Sequence, residues 1–180
     1  MQAEIADINS FWRQAGPSRW FKKDSAFDAD ICVRFYEAHE AAARGEYAGW
    51  LEHPEGALAL LILLDQFPRN LFRGSAHAFA TDAMALSAAR TALRLGHDAH
   101  CGIDMKQFFY MPFMHSETIG DQELCLALCR ANGLNDNIAF AEVHRDIIRR
   151  FGRFPHRNLV MGRMTTPEEQ AFLDAGGFAG

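Results

Sequence analysis

Apolar residues recur at α-helical spacing along almost the whole chain. Phe27, Ile31, Phe35, Ala38 and Ala42 form one stripe, which Gly45 closes. Ser25 stands at its expected start, with Asp28 three residues on in the manner of a capping box. His53-Pro54 opens the next run, since proline suits the first turn of a helix. That run carries Leu58, Leu61, Ile62 and Leu64 to about Gln66, apolar nearly all round, as a central helix is. Pro68 predicts its end, because the residue before a proline is pushed out of the α region. Thr81 is expected to cap a helix over 82–95 that stops at Gly96. Asp104 begins an aromatic run through Phe108, Phe109, Tyr110 and Phe113, which Pro112 should kink or split. Thr118 with Asp121 starts a helix through Leu124 and Leu128 to Gly133, and Asp136 starts one through Phe140, Val143, Ile147 and Phe151 to Gly152. Thr166-Pro167-Glu168-Glu169 opens a last short helix ending near Gly176.

No stretch shows strand alternation bounded by turn residues. Helices joined by short connections fold into antiparallel hairpins, and stacked hairpins make a solenoid-like array. The expectation is therefore an all-α protein of about eight helices in TPR-like stacked antiparallel hairpins, without a strict TPR sequence period. At 180 residues it is read as one domain, 1–180.

Composition narrows the function. Nearly half the residues, 49%, are hydrophobic and 15 are Phe, so the core needs no disulfide or metal staple. A net charge of −5 speaks against nucleic acid, which requires a basic footprint. Cys32, Cys101, Cys125 and Cys129 form no C-x-x-C pair and read as reduced thiols in a cytoplasmic protein. The longest apolar run, 57–64, is far short of the roughly 20 residues of a membrane span, and no signal peptide is visible. No cofactor is expected: Gly-rich phosphate loops, H-E-x-x-H and E-x-x-H patterns are all absent, and no metal site is expected either.

One phrase occurs twice. Phe67-Pro68-Arg69-Asn70 is followed by Arg73-Gly74, and Phe154-Pro155-His156-Arg157-Asn158 by Gly162-Arg163. An aromatic anchor, a proline and a cation–amide pair follow a helical run each time. These residues resemble the bacterial family labelled domain of unknown function 924, and the likeness covers nearly the whole chain. It rests on Phe11-Trp12 and Trp20-Phe21, on 63–74 and 78–82, on Met111-Pro112-Phe113-Met114-His115-Ser116-Glu117, on His144 with Asp146-Ile147-Ile148, on 151–158, and on Thr166-Pro167-Glu168-Glu169 with Phe172-Leu173. The resemblance implies a TPR-like all-α fold. It brings no activity, substrate, cofactor or catalytic residue with it.

The chemistry must then come from the residues. Arg69, Asn70 and Arg73, beside Asp65 at the helix end, read either as a tied corner or as an anion site, since guanidinium forks suit carboxylate and phosphate. Arg153, His156, Arg157, Asn158 and Arg163 repeat the theme. If the two corners meet, their cations need acids or a ligand to offset them, with Asp65, Glu117 and Asp146 as the acids to seek. His115 and His144 sit on or beside the apolar sides of their helices, each followed two residues later by an acid. On a helix such neighbours point about 200° apart, so His115 can work with Glu117 only if Pro112 ends the helix early. Ser116 reads as a cap. Trp12, Trp20, Phe21 and Trp50 read as core, or as the lining of a groove. The leading expectation is a binding module whose cleft takes an anionic small molecule or peptide. It would be lined by Asp65, Arg69, Asn70, Arg73, His115, Glu117, His144, Arg153, His156, Arg157 and Asn158. The alternatives are an enzyme using His115, Glu117 and His144 as acid–base groups, and a structural protein-interaction domain.

Overall fold

Asp24, not Ser25, caps the longest helix. Its carboxylate accepts the backbone N–H groups of Ala26 and Phe27 at 3.0 and 3.1 Å, and Ser25 is already helical. An aspartate satisfies two orphan donors at once and complements the positive end of the helix. The computed structural model describes residues 2–178, with the side chains of 2–4 outside that description. Its helices are α1 (Gln2–Ala15), α2 (Pro17–Trp20), α3 (Ser25–Ala43), α4 (Pro54–Leu61), α5 (Phe67–Leu71), α6 (Asp82–Arg94), α7 (Ile103–Lys106), α8 (Met111–Met114), α9 (Ile119–Ala131), α10 (Asn135–Phe151) and α11 (Pro167–Asp174). Short 3₁₀ turns link several of them, and no strand occurs among the described residues, so the fold is all-α. No helix among the described residues is long and apolar enough to cross a membrane.

Two compact units emerge. The first runs from α1 to Arg73 and from His77 to Pro112; the second takes Gly74–Ala76 and the chain from Phe113 onward.

In the first unit Pro68 does not end its helix, contrary to the sequence expectation. Residues Ile62–Gln66 form a π-turn, and the N–H of Phe67 reaches back five residues to the carbonyl of Ile62. The widened turn clears the pyrrolidine ring from backbone it would strike in an α-helix, and a shifted ladder has less use for the missing N–H. The helix therefore passes through Pro68 to Leu71. The detour delivers Phe67, fully buried, against Phe35, Trp12 and Phe11 at centroid distances of 5.1, 5.6 and 6.3 Å. Burying such a ring contributes roughly 1.5–3 kcal/mol. Trp12 and Trp20 both meet Phe108 edge-on, at 5.7 and 4.9 Å, and Trp50 is buried against Tyr47; Phe21 is 60% exposed. Gly56 is required where the 48–52 turn presses on α4: a Cβ there would collide with the carbonyl of Trp50. Thr81 precedes α6 but does not cap it. Its hydroxyl donates instead to the carbonyl of Leu64 at 2.6 Å. The aromatic run is split as expected, with a 3₁₀ turn over Gln107–Phe109 before α8.

In the second unit α9 and α10 form a hairpin joined by residues 132–134, where Gly133 takes a positive φ of 66°. Gly152, φ 69°, ends α10 in the left-handed cap that its position predicts. The start of α10 differs from expectation: it begins at Asn135, and Leu134 at the cap position offers no side-chain bond. Thr118 likewise makes no side-chain cap for α9. Ile147, Ile148 and Phe154 form the core beyond the hairpin, covered by Phe151, Phe172 and Phe178. The capping box of α11 is complete. Thr166 Oγ1 accepts the N–H of Glu169 at 3.2 Å, and the Glu169 carboxylate accepts the N–H of Thr166 at 2.8 Å.

Candidate functional site

The doubled phrase falls once in each unit, and its two copies have different backbones. The first is a continuous helix. The second is a loop in which Phe154 is extended and Pro155–Arg157 make one 3₁₀ turn.

In the first copy every cation is matched by an acid of the same unit. Arg69 donates to the carbonyl of Asp65 at 2.6 Å and to the Asp82 carboxylate at 3.0 Å, with the Asp65 carboxylate at 3.6 Å. Asn70 donates to Asp28 at 2.8 Å, and Arg73 grips the same carboxylate through Nε and Nη2 at 3.0 and 2.9 Å. Two arginines thus face Asp28, Asp65 and Asp82. These contacts tie α5 to α3 and α6.

The second copy collects the remaining candidates. α8 ends at Met114, so His115, Ser116 and Glu117 leave the helix and the 200° objection to their cooperation does not apply. Ser116 bridges the turn into α9, donating to Asp121 at 2.7 Å and accepting the N–H of Thr118 at 3.2 Å. Glu117 reaches across to the phrase. It accepts the N–H of Phe154 at 2.8 Å and both terminal nitrogens of Arg163 at 2.7 and 3.1 Å. Burial alone would push its carboxyl up, but Arg163, the Phe154 N–H and Arg157 together hold it below the usual range. Arg153 forks onto Glu169 at 2.6 and 2.8 Å, and Asn158 donates to the same carboxylate at 3.2 Å. The Arg153 fork and the Thr166 N–H hold Glu169 down to about 2.

Aromatic rings pack around this corner. Phe154 is fully buried, with Arg157 4.5 Å above its ring and His144 and His156 at 5.4 and 5.6 Å. Phe178 lies against both histidines, at 4.5 and 5.2 Å. His144 Nδ1 lies 2.7 Å from the carbonyl of Phe140, which can only accept, so that nitrogen carries the ring proton. His156 has no such anchor. Burial, then the neighbouring Arg157, push it down to about 4, with Arg163 and His115 adding to the effect.

Arg153 and Arg163 are matched by Glu169 and Glu117, and the Arg157 guanidinium joins them over the Phe154 ring. Polar atoms are also left over. His156 Nδ1, Asn158 Oδ1 and Arg163 Nε are buried without a hydrogen-bond partner among the described residues. Among the described residues no group of three His, Cys, Asp or Glu is arranged to hold a metal ion.

Sequence reasoning missed Glu169 and Phe178 as members of this site. The capping-box pattern pointed to Glu169 as a helix start, but nothing local shows that its carboxylate also receives Arg153 and Asn158. Arg163 was visible as part of the phrase, but not its fork onto Glu117. Asp146, the third acid sought, instead pairs with its neighbour Arg145 at 2.7 Å.

The fold has a solved counterpart. A structure from Agrobacterium tumefaciens, described as that of a protein of unknown function, is 52% identical, with a TM-score of 0.94 over 97% of this chain and 99% of that one. No curated protein matches. The model of the family described as bacterial protein of unknown function, DUF924, matches residues 8–177, and the chain belongs to that family.

Proposed function

We propose that the protein is a cytoplasmic binding module whose site is the corner built from Glu117, Arg153, His156, Arg157, Asn158 and Arg163, and that it takes an anionic small molecule or a peptide carboxylate. The observation that carries this reading is the gathering of unpartnered buried atoms on His156, Asn158 and Arg163 in a corner that also collects the guanidiniums of Arg153, Arg157 and Arg163. A buried polar atom left without a partner costs roughly 1–3 kcal/mol, so several in one corner favour a bound group that supplies the missing partners. An anionic group would accept hydrogen bonds from the guanidiniums gathered here. A ligand N–H or O–H would serve Asn158 Oδ1, and His156, neutral above its lowered pKa, would orient the ligand as donor or acceptor. Phe154 and Phe178 supply the apolar wall.

Binding is favoured over acid–base catalysis because Glu117 is already ionised and engaged by three N–H donors, which leaves it a poor proton carrier at neutral pH. The test is a thermal-shift screen of small carboxylates on wild type, Arg69→Ala and Arg157→Ala. Both variants should melt lower than wild type. Ligand-induced stabilisation should survive in Arg69→Ala and vanish in Arg157→Ala; its persistence in Arg157→Ala refutes the reading.

A further inference from the structure

The α9–α10 hairpin carries a second concentration of arginine, outside the corner just described. Glu123, Leu126, Ala127 and Arg130 follow one another along one stripe of α9, and Arg145 and Arg149 lie one turn apart on α10. Together they line a surface groove of about 230 Å³.

Ion pairs between the helices close both ends. Arg130 Nη2 meets Glu142 at 2.6 Å, and Arg149 Nη2 meets Glu123 at 2.7 Å. The pairing runs antiparallel, so the register places Arg145 midway, opposite Leu126 and Ala127. The central guanidinium thus receives no carboxylate from the facing helix. Its acid is Asp146, the next residue of its own helix, and both Nε and Nη2 bond to the one oxygen Oδ1, at 2.9 and 2.7 Å. Adjacent helical residues do not face each other, so this bond draws the guanidinium edge around rather than filling the groove. Arg145 is also the most shielded of the three, its side chain 17% exposed against 55% and 52% for Arg130 and Arg149.

We infer that this groove binds a small phosphate dianion, free or as a monoester. Arg145 would hold it from the centre, through the guanidinium edge that Asp146 does not use, over the apolar floor of Leu126. Arg130 and Arg149 each spend one terminal nitrogen on a half-exposed glutamate, in pairs worth little in water, so each can turn a second donor inward without unfolding the hairpin. With Arg130 and Arg149 each turning a second donor inward beside Arg145, three guanidiniums would match the oxygen count of a phosphoryl group better than that of a single carboxylate.

Inorganic phosphate, titrated at constant ionic strength against a chloride control, tests this by amide NMR. The expected result is saturable shifts at Leu126, Ala127, Arg145 and Arg149. Arg145→Gln should weaken that binding about tenfold or more, the loss expected for one charge-assisted contact. Its remaining amide spectrum should superpose on that of wild type, which separates lost binding from lost fold. Arg145→Lys should keep an intermediate affinity. A glucose-6-phosphate arm distinguishes a monoester ligand from free phosphate. Groove shifts no larger than with chloride, or an Arg145→Gln titration equal to wild type, overturn the inference. Either result leaves the Arg157 corner to be judged by its own variants.

Discussion

Glu117 and Arg163, 46 residues apart in the chain, are joined by two hydrogen bonds of 2.7 and 3.1 Å, and the same carboxylate accepts the N–H of Phe154. This clasp closes the loop that carries the second phrase. Glu117→Gln keeps the shape but loses the charge, and should destabilise the protein by about 2 kcal/mol in urea denaturation. Because the folded carboxyl lies below its usual range, its contribution is present above the unfolded pKa and is lost as pH falls. The difference between wild type and variant should therefore shrink on acidification.

Glu169 joins the same loop to α11. It is 2% exposed and serves Arg153, Asn158 and the Thr166 N–H together. Replacing it with Gln leaves Arg153 without its acid, and should cost about 3 kcal/mol. Hydrogen exchange checks this: α11 amides should lose protection before those of α9 and α10.

His156 gives the fold a distinct acid response. Its folded pKa of about 4 lies below the ordinary 6.5, so the unfolded chain binds the extra proton between those values. Stability from this group is full above pH 6.5 and falls on acidification towards pH 4, at up to about 1.4 kcal/mol per pH unit. His156→Phe removes both the titration and an unpartnered buried nitrogen while keeping a ring beside Phe154 and Phe178. The variant should match or exceed wild type in stability at pH 7 and lose less between pH 6.5 and 4, as followed by thermal melts across that range.

Gly56 supports the first unit by having no side chain. Alanine there would drive a Cβ into the backbone of Trp50, which cannot swing aside as a side chain can. Gly56→Ala should cost about 2 kcal/mol or more, lower the melting temperature and disturb Trp50 fluorescence.

Much of the fold was legible in the pattern. The stripe of α3, the stops at Gly45, Gly96, Gly133 and Gly152, and the capping box of α11 are all dictated by neighbours within a turn. Pro68 was misread because a π-turn is set by tertiary packing: Phe67 has to reach the Trp12 and Phe35 rings, and no local signal announces the extra residue. The caps went astray for a related reason. Thr81 spends its hydroxyl on Leu64, and Asp24 outcompetes Ser25 because a carboxylate satisfies two donors. At the site, residue types were legible but partners were not. Two copies of one phrase read alike in the sequence, but Asp28 and Asp82 hold the first from α3 and α6, while Glu117 and Glu169 hold the second.

The most direct test of the central claim is calorimetric titration of wild type and His156→Phe, side by side at pH 7, with small carboxylate anions. The account predicts saturable binding to wild type and at least tenfold weaker binding to a variant that is no less stable. Equal titration of both proteins by every anion that binds would contradict it, and so would a wild type that none of them saturates.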